Sequence, residues 1–329
     1  MTIARPLSSI DAYKELIRHI SELVSAGQEI YHLYPQNPLI AHRWTVLKLV
    51  FLKLYVPIYT WIIKRRYSYM AYLDLFAGSG LNVFEGYEKA PIPGSPIIAW
   101  GFAGLSFDHL YLVEKNGDHS RSLQHRIKLV VPSTRFTIYH KGDANEKVYD
   151  IMDEIEEFSG AHYMAFIDPF GLNVHWSTME RLLSSKVRGD LLILFQSHVA
   201  MTTAKQVLKR EARSKALPRL FGTHDWLDYL KKKMKNGSAQ EVEDLLLEYY
   251  IMRIRSVRKK ARILTVNIRL YREHISYKLI FVTTKTRQNN PWMKNVFALK
   301  SFIENARPED VDNGIKNALG KPKSLVEFL

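Results

Sequence analysis

The sequence predicts an α/β protein built on a doubly wound, mostly parallel sheet, and three observations carry that reading. Short apolar runs alternate with helical patterns between residues 70 and 195, as in consecutive βαβ units. The first run, Tyr72-Leu73-Asp74-Leu75-Phe76, ends in Ala77-Gly78-Ser79-Gly80, the way a buried parallel strand stops and turns. Acids then stand in or at the ends of successive runs, at Asp74, Glu114, Asp143 and Asp168. Ligands of such sheets sit beyond the carboxyl ends of the strands. One acid there is unremarkable, but four at one edge are hard to explain by solubility.

The elements follow in order. Ile10, Tyr13, Ile17, Ile20 and Leu23 recur at helical spacing and predict a helix over 8–34, capped by Ser8 or Ser9 and broken by Pro35 and Pro38. Trp44, Leu47, Leu49, Phe51, Leu52, Leu54 and Tyr55 predict a second, which Pro57 ends or kinks. Its surroundings, Ile40 to Ile63, are apolar, but His42, Arg43, Lys48 and Lys53 interrupt them, so a buried helix is expected rather than a membrane span. The first strand is 70–76, and 82–96, with Pro91-Ile92-Pro93-Gly94-Ser95-Pro96, reads as a long loop. Pro96 suits the first turn of the helix begun by Ile97. Strands are expected at 109–113, 136–139, 163–167 and 190–195, with helices at 118–130, 145–158 and 176–185. Residues 200–262 break the alternation and read as helical. Ile263–Tyr271 and Tyr277–Thr283 then suggest a hairpin turning near Arg272-Glu273-His274, before helices over about 292–328.

The domain organisation expected is an N-terminal helical region (1–66), an α/β core (67–200), a basic helical insertion (201–262), and C-terminal strands completing the sheet with terminal helices (263–329). Charge divides along these lines. The net charge is +14, but residues 67–200 carry 11 basic and 16 acidic side chains, whereas 201–262 carry 16 and 7. An acidic core between basic flanks predicts a polyanion partner, a nucleic acid, with a solvated charged surface as the plain alternative; of the nucleic acids, RNA is expected before DNA. The candidate contacts are Lys231, Lys232, Lys233, Arg258, Lys259 and Lys260; a solvated helix face is the plain alternative for the lysine triplet. The chain has no cysteine, which excludes disulfides, cysteine metal sites and a cysteine nucleophile, and suits a reducing cytoplasm. The start, Met1-Thr2-Ile3-Ala4-Arg5, lacks the apolar core of a signal peptide. The 12 histidines are scattered without metal-ligand spacing, so no metal is expected.

A nucleoside cofactor explains the acids. Glu114 offers two acceptor oxygens and no donor, which suits a pair of ribose hydroxyls. Asp143 would accept an adenine amino group, and Asp74 with the glycine turn would meet an amino-acid moiety. This is the layout of S-adenosylmethionine (SAM) enzymes of class I. A nicotinamide site fits less well: Val83 replaces the third glycine of Gly-x-Gly-x-x-Gly, and Glu114 lies 40 residues after Asp74, where about 20 is usual.

Trp44-x-x-x-Lys48-Leu49, Asp74-Leu75-Phe76-Ala77-Gly78-Ser79-Gly80, Gly94-Ser95-Pro96 and Phe166-Ile167-Asp168-Pro169-Phe170-Gly171 together resemble the three-Cys-motif partner proteins, predicted methyltransferases. The resemblance covers roughly 40–200, including Lys186 and Asp190, with a looser match through Tyr277-Lys278-Leu279-Ile280-Phe281. The motif order is also similar to the bacterial large-subunit ribosomal RNA adenine-N6 methyltransferases, which carry an N-terminal lysine helix, a Pro-Gly-Ser-Pro insertion and an Asp-Pro-Pro-Tyr motif. The resemblance implies a Rossmann-like class I methyltransferase sheet, and Lys48 reaching the cofactor carboxylate. The cofactor-binding candidates are then Lys48, Asp74, Phe76, Gly78, Gly80, Ser95, Glu114, Asp143 and Ala144. The catalytic candidates are Asp168 and the Pro169 carbonyl, accepting hydrogen bonds from an amino group, and Phe170, stacking on an extruded base. Here the motif departs: the second proline is absent and the aromatic comes one place early. The function expected is a nucleic-acid methyltransferase acting on an exocyclic amine such as adenine N6. The alternatives are a silent methyltransferase-fold subunit with a protein partner, and a small-molecule methyltransferase, which would not need the basic flanks.

Overall fold

A computed structural model describes residues 9–42, 45–84, 86–209, 214–270 and 275–320. Ser8, Trp44, the Arg272-Glu273-His274 turn and the end of the last helical stretch lie outside the described residues.

The chain opens with helix α1 (Ser9–Leu33), strand β1 (Leu39–Ala41) and α2 (Thr45–Ile63). There follow β2 (Tyr69–Asp74), β3 (Leu81–Phe84), β4 (Tyr87–Pro93) and α3 (Ser95–Gly101). The βα alternation continues with β5 (His109–Glu114), α4 (Gly117–Val130), β6 (Phe136–His140), α5 (Ala144–Glu157), β7 (Ala161–Ile167), α6 (Trp176–Leu183) and β8 (Arg188–Phe195). Four helices interrupt it: α7 (Ser197–Leu208), α8 (Ala216–Phe221), α9 (Trp226–Lys233) and α10 (Ala239–Val257). The chain closes with β9 (Ala261–Leu270), β10 (Ile275–Thr284), α11 (Met293–Glu304) and α12 (Pro308–Leu319).

The main sheet has seven strands in the order β6-β5-β2-β7-β8-β10-β9. All pairs from β6 to β8 are parallel, and β10 runs antiparallel to both its neighbours. This is a Rossmann-like, doubly wound sheet with one antiparallel strand inserted beside its edge. Side chains alternate across it. Met70, Tyr72, Leu110, Leu112, Met164 and Phe166 face one buried cluster with α1, α2, α11 and α12; Ala71, Leu73, Tyr111, Val113, Tyr163 and Ala165 face the other with α5 to α7 and α10. Residues before the sheet and after it thus share one core layer.

Two expectations are corrected. The stretch 82–96 is not a long loop: β3 and β4 pair antiparallel, and β1 pairs parallel with β3, making a small sheet in the order β1-β3-β4. Pro91 and Pro93 lie on its edge strand, where a missing amide costs no ladder bond. Pro57, expected to end or kink α2, does not end it: the helix runs on to Ile63 with Pro57 inside it. Tyr59 and Ile63 beyond it are buried, and that burial offsets a proline cost of about 3 kcal/mol. Among the described residues α2 alone is long and apolar enough to cross a membrane, and 67% of its apolar window is buried inside the fold.

Candidate active site

The chain leaves β2 in one direction, to β5 and β6, and from β7 in the other, to β8. That reversal opens a crevice at the carboxyl ends of β2 and β7. Each element ending there brings one of the four acids or the helix that starts beyond it.

After β2 the backbone needs glycine. Gly78 and Gly80 have φ of 63° and 78°, values that Cβ-bearing residues rarely take. A Cβ on Gly94 would stand 2.8 Å from the Gly80 Cα, so the Gly94-Ser95-Pro96 turn packs directly on the glycine loop. The Gly94 amide donates to the Gly80 carbonyl at 2.8 Å. Asp74 lies under this loop and is fully buried. It accepts from the Phe76 amide at 3.3 Å and from the Tyr72 hydroxyl at 3.1 Å. Burial pushes its carboxyl up to about 7, against the bonds from Ser95 and Tyr72. The ligand contact expected of Asp74 is therefore corrected to a support of the loop, because its oxygens face protein donors and do not reach the cavity surface.

Glu114, at the end of β5, is placed differently. One carboxylate oxygen accepts the Gly78 amide at 2.9 Å, and the other accepts the Asn116 amide at 2.7 Å. Each oxygen keeps a further acceptor position, and Glu114 lines a cavity of about 680 Å³. Asp143 caps α5, accepting from the Asn145 amide at 2.9 Å, and takes the Lys115 ammonium on its other oxygen at 2.9 Å. The Lys115 contact is the main cause that holds its carboxyl below the usual range. Asp143 and Ala144 share the cavity with Glu114, Phe76, His119 and Phe170.

A second cavity, of about 380 Å³, adjoins the first at Phe76 and Phe170. Lys48 enters it from α2, and Gly78, Gly80, Ser95, Asp168 and Pro169 line it. Lys48 Nζ lies 2.5 Å from Asp168 Oδ2, in a partly buried ion pair. The Pro169 carbonyl accepts from the Gln196 side chain at 3.2 Å. Phe170 is 69% exposed, a large aromatic held at the junction of the two cavities. The structure therefore brings the candidate residues to one edge, with Asp74 beneath it.

Several lining residues escape the motif reading. Gln196 is the first residue after β8, a position that the strand-end rule would have flagged. Asn145 accepts from the His175 amide at 2.8 Å and the Thr178 hydroxyl at 2.7 Å, tying α5 to α6. Arg219, from α8, reaches the first cavity from the basic helical region, and nothing local to it signals that.

The basic candidates separate. Lys231, Lys232, Lys259 and Lys260 are exposed. Lys233 is exposed too, but pairs with Glu248 at 2.8 Å. Arg258 is corrected: it is buried and donates to the carbonyls of Leu182, Leu183 and Gly189 at 3.0, 3.2 and 2.8 Å. Those carbonyls leave its guanidinium no face for a phosphate.

No family model matches the chain, and no curated protein sequence matches it. Among solved structures it is similar to protein LPL1258 from Legionella pneumophila, at 14% identity over 78% of this chain and 92% of that one, with a TM-score of 0.47. It is also similar to an O-methyltransferase from Bacillus cereus in complex with SAH (13% identity, 86% and 94% covered, TM-score 0.38). A third is the O-methyltransferase TomG from Streptomyces achromogenes, in complex with SAM (10% identity, 80% and 90% covered, TM-score 0.41).

Proposed function

We propose that this chain is an S-adenosylmethionine-dependent methyltransferase acting on nucleic acid, RNA before DNA, at an exocyclic amine such as adenine N6. One observation carries the reading: Glu114 and Asp143 line one cavity, Lys48 and Asp168 line the next, and the two meet at Phe76 and Phe170.

The residues present fit the cofactor. Glu114 keeps an acceptor position on each oxygen for a ribose diol, and its grip on the Gly78 amide fixes the distance from diol to loop. The Gly80–Gly94 approach clears side chains from the loop surface. Lys48 is the cation for an amino-acid carboxylate, and Asp143 faces the cavity as an acceptor for an amino group. Bound there, SAM supplies an electrophilic sulfonium methyl. The chain's own work lies on the acceptor side. Asp168 and the Pro169 carbonyl accept from the target amine, which turns its lone pair out of ring conjugation. Phe170, exposed between the cavities, offers a face for the extruded base. The polarity of this wall suits an amine that must lose a proton, and the lack of cysteine removes the thiolate route to pyrimidine carbon 5. The basic flanks and the resemblance to three-Cys-motif partner proteins support a nucleic-acid substrate and a protein partner.

The test is calorimetric titration with SAM, followed by incubation with RNA and mass spectrometry of its nucleosides. N6-methyladenosine is expected. Methylated cytosine or a ribose methyl would overturn the target atom; cofactor binding with no methylated RNA or DNA would favour a silent subunit.

A further inference from the structure

A cavity larger than either of those at the candidate active site lies at the opposite edge of the sheet. It encloses about 1230 Å³ at the start of β7, β8 and β9 and the end of β10. β7 spans seven residues, so this edge stands about 20 Å from the candidate active site. Six cations line it: Arg66, Arg188, Lys259, Lys260, Lys285 and Arg287. Asp190 is the one acid among the lining residues, and it is buried, accepting from the Tyr55 hydroxyl at 2.6 Å. Among the described residues none of the six cations is in an ion pair. Elsewhere the same protein pairs such groups, as in Lys64–Asp108 and Arg181–Glu156. Six unpaired like charges around one concavity repel one another, and the low-dielectric wall focuses their field outward.

The wall is also built. The Asn289 and Asn290 backbones take φ of 58° and 52°, a left-handed conformation that is uncommon outside glycine. Asn290 is buried, and its side chain accepts from the Thr286 amide at 2.8 Å and donates to the Thr284 carbonyl at 3.1 Å. The Lys285 amide donates to the Lys260 carbonyl at 2.8 Å, which sets two of the cationic residues side by side. Half-buried Tyr67 and Trp292 complete the lining.

We propose that this cleft is a second binding site, which holds the phosphodiester backbone of a nucleic-acid strand remote from the methyl-transfer pocket. A strand is favoured over a small anion because the six cations come from four separate segments around a cleft of about 1230 Å³, and because Tyr67 and Trp292 line it with aromatic rings of the kind on which bases stack. The inference does not rest on the methyl-transfer reading, since none of these residues lines either cavity of the active site.

The test is fluorescence anisotropy of a labelled single-stranded RNA with the full chain, between about 50 and 200 mM salt. The variants are Lys259→Ala/Lys260→Ala and Lys285→Ala/Arg287→Ala, with thermal melts to show that both fold as the wild type does. Each double variant is expected to bind RNA more weakly and to lower the log–log salt slope by about 1 per cation removed. Wild-type affinity and slope in both would overturn the site. So would RNA binding displaced by equimolar inorganic pyrophosphate, which would assign the cleft to a small polyanion. SAM titration of the same variants keeps the two readings apart: RNA binding through the cleft without SAM binding defeats the methyltransferase reading alone.

Discussion

Lys48 and Asp168 are 120 residues apart in sequence, yet their charged groups meet at 2.5 Å between α2 and the turn after β7. The cation suited to a cofactor carboxylate thus already neutralises the acid suited to the target amine. Binding of a carboxylate at Lys48 would loosen its hold on Asp168 and free acceptor positions there. Lys48→Met is expected to weaken SAM and to leave Asp168 without its partner. Asp168→Asn, which keeps shape and removes charge, is expected to abolish turnover while SAM binding falls by less than about tenfold, a change of 1.4 kcal/mol. Full turnover in Asp168→Asn, measured by methyl transfer to RNA, would remove Asp168 from the chemistry.

Glu114 joins the glycine loop to the first cavity through its bond to the Gly78 amide. Glu114→Ala leaves that amide and the ribose hydroxyls unpaired, at about 1–3 kcal/mol. SAM affinity is expected to fall by about tenfold to a hundredfold, and Glu114→Gln to fall less. Calorimetry on folded protein checks this, and wild-type affinity in both variants would count against the ribose assignment.

Asp74 carries a pH dependence. Its carboxyl is pushed up to about 7 by burial, from 3.8. The folded state then binds the proton more tightly than the unfolded state, so this group's contribution to stability is full at low pH. It is lost as pH rises from about 4 through about 7. Asp74→Asn mimics the protonated form. Relative to the wild type it should gain stability between pH 5 and pH 8, read from urea unfolding at the two pH values. A variant whose difference from wild type stays constant over that range would show that Asp74 is ionised throughout.

Arg258 holds the end of α10 to the α6–β8 connection through three carbonyls and the Tyr163 hydroxyl. Arg258→Ala should leave several buried acceptors unpaired and cost at least about 3 kcal/mol, because each orphaned group costs about 1–3 kcal/mol. The salt slope of RNA binding in the folded fraction should not change. Lys259→Ala next to it should leave the melting temperature within a degree or two of wild type. Equal stability in the two variants would contradict the buried placement of Arg258.

The sheet and the gathering of most candidate residues at one edge were legible in the sequence, because the signals are local. Period-two and 3.6-residue patterns report which face of each element is buried, and glycine after a strand reports a backbone without room for Cβ. The acids at strand ends then needed only the topology of a parallel sheet to fall on one edge. Other outcomes depended on contacts between distant segments. Arg258, Lys259 and Lys260 are alike in charge, and only packing against α6 and β8 turns the first inward and leaves the others free. Asp74 and Glu114 both end apolar strands. The turn over Asp74 buries it among protein donors, whereas Glu114 opens to the cavity. Pro91 and Pro93 read as loop until β3 makes them an edge strand. The cationic cleft joins Arg66, Arg188, Lys260 and Lys285 from four separate stretches, so its charge is concentrated only when the strands are side by side. Propensity and charge are properties of a segment; burial, ion pairing and the shape of a cleft are properties of the assembled fold.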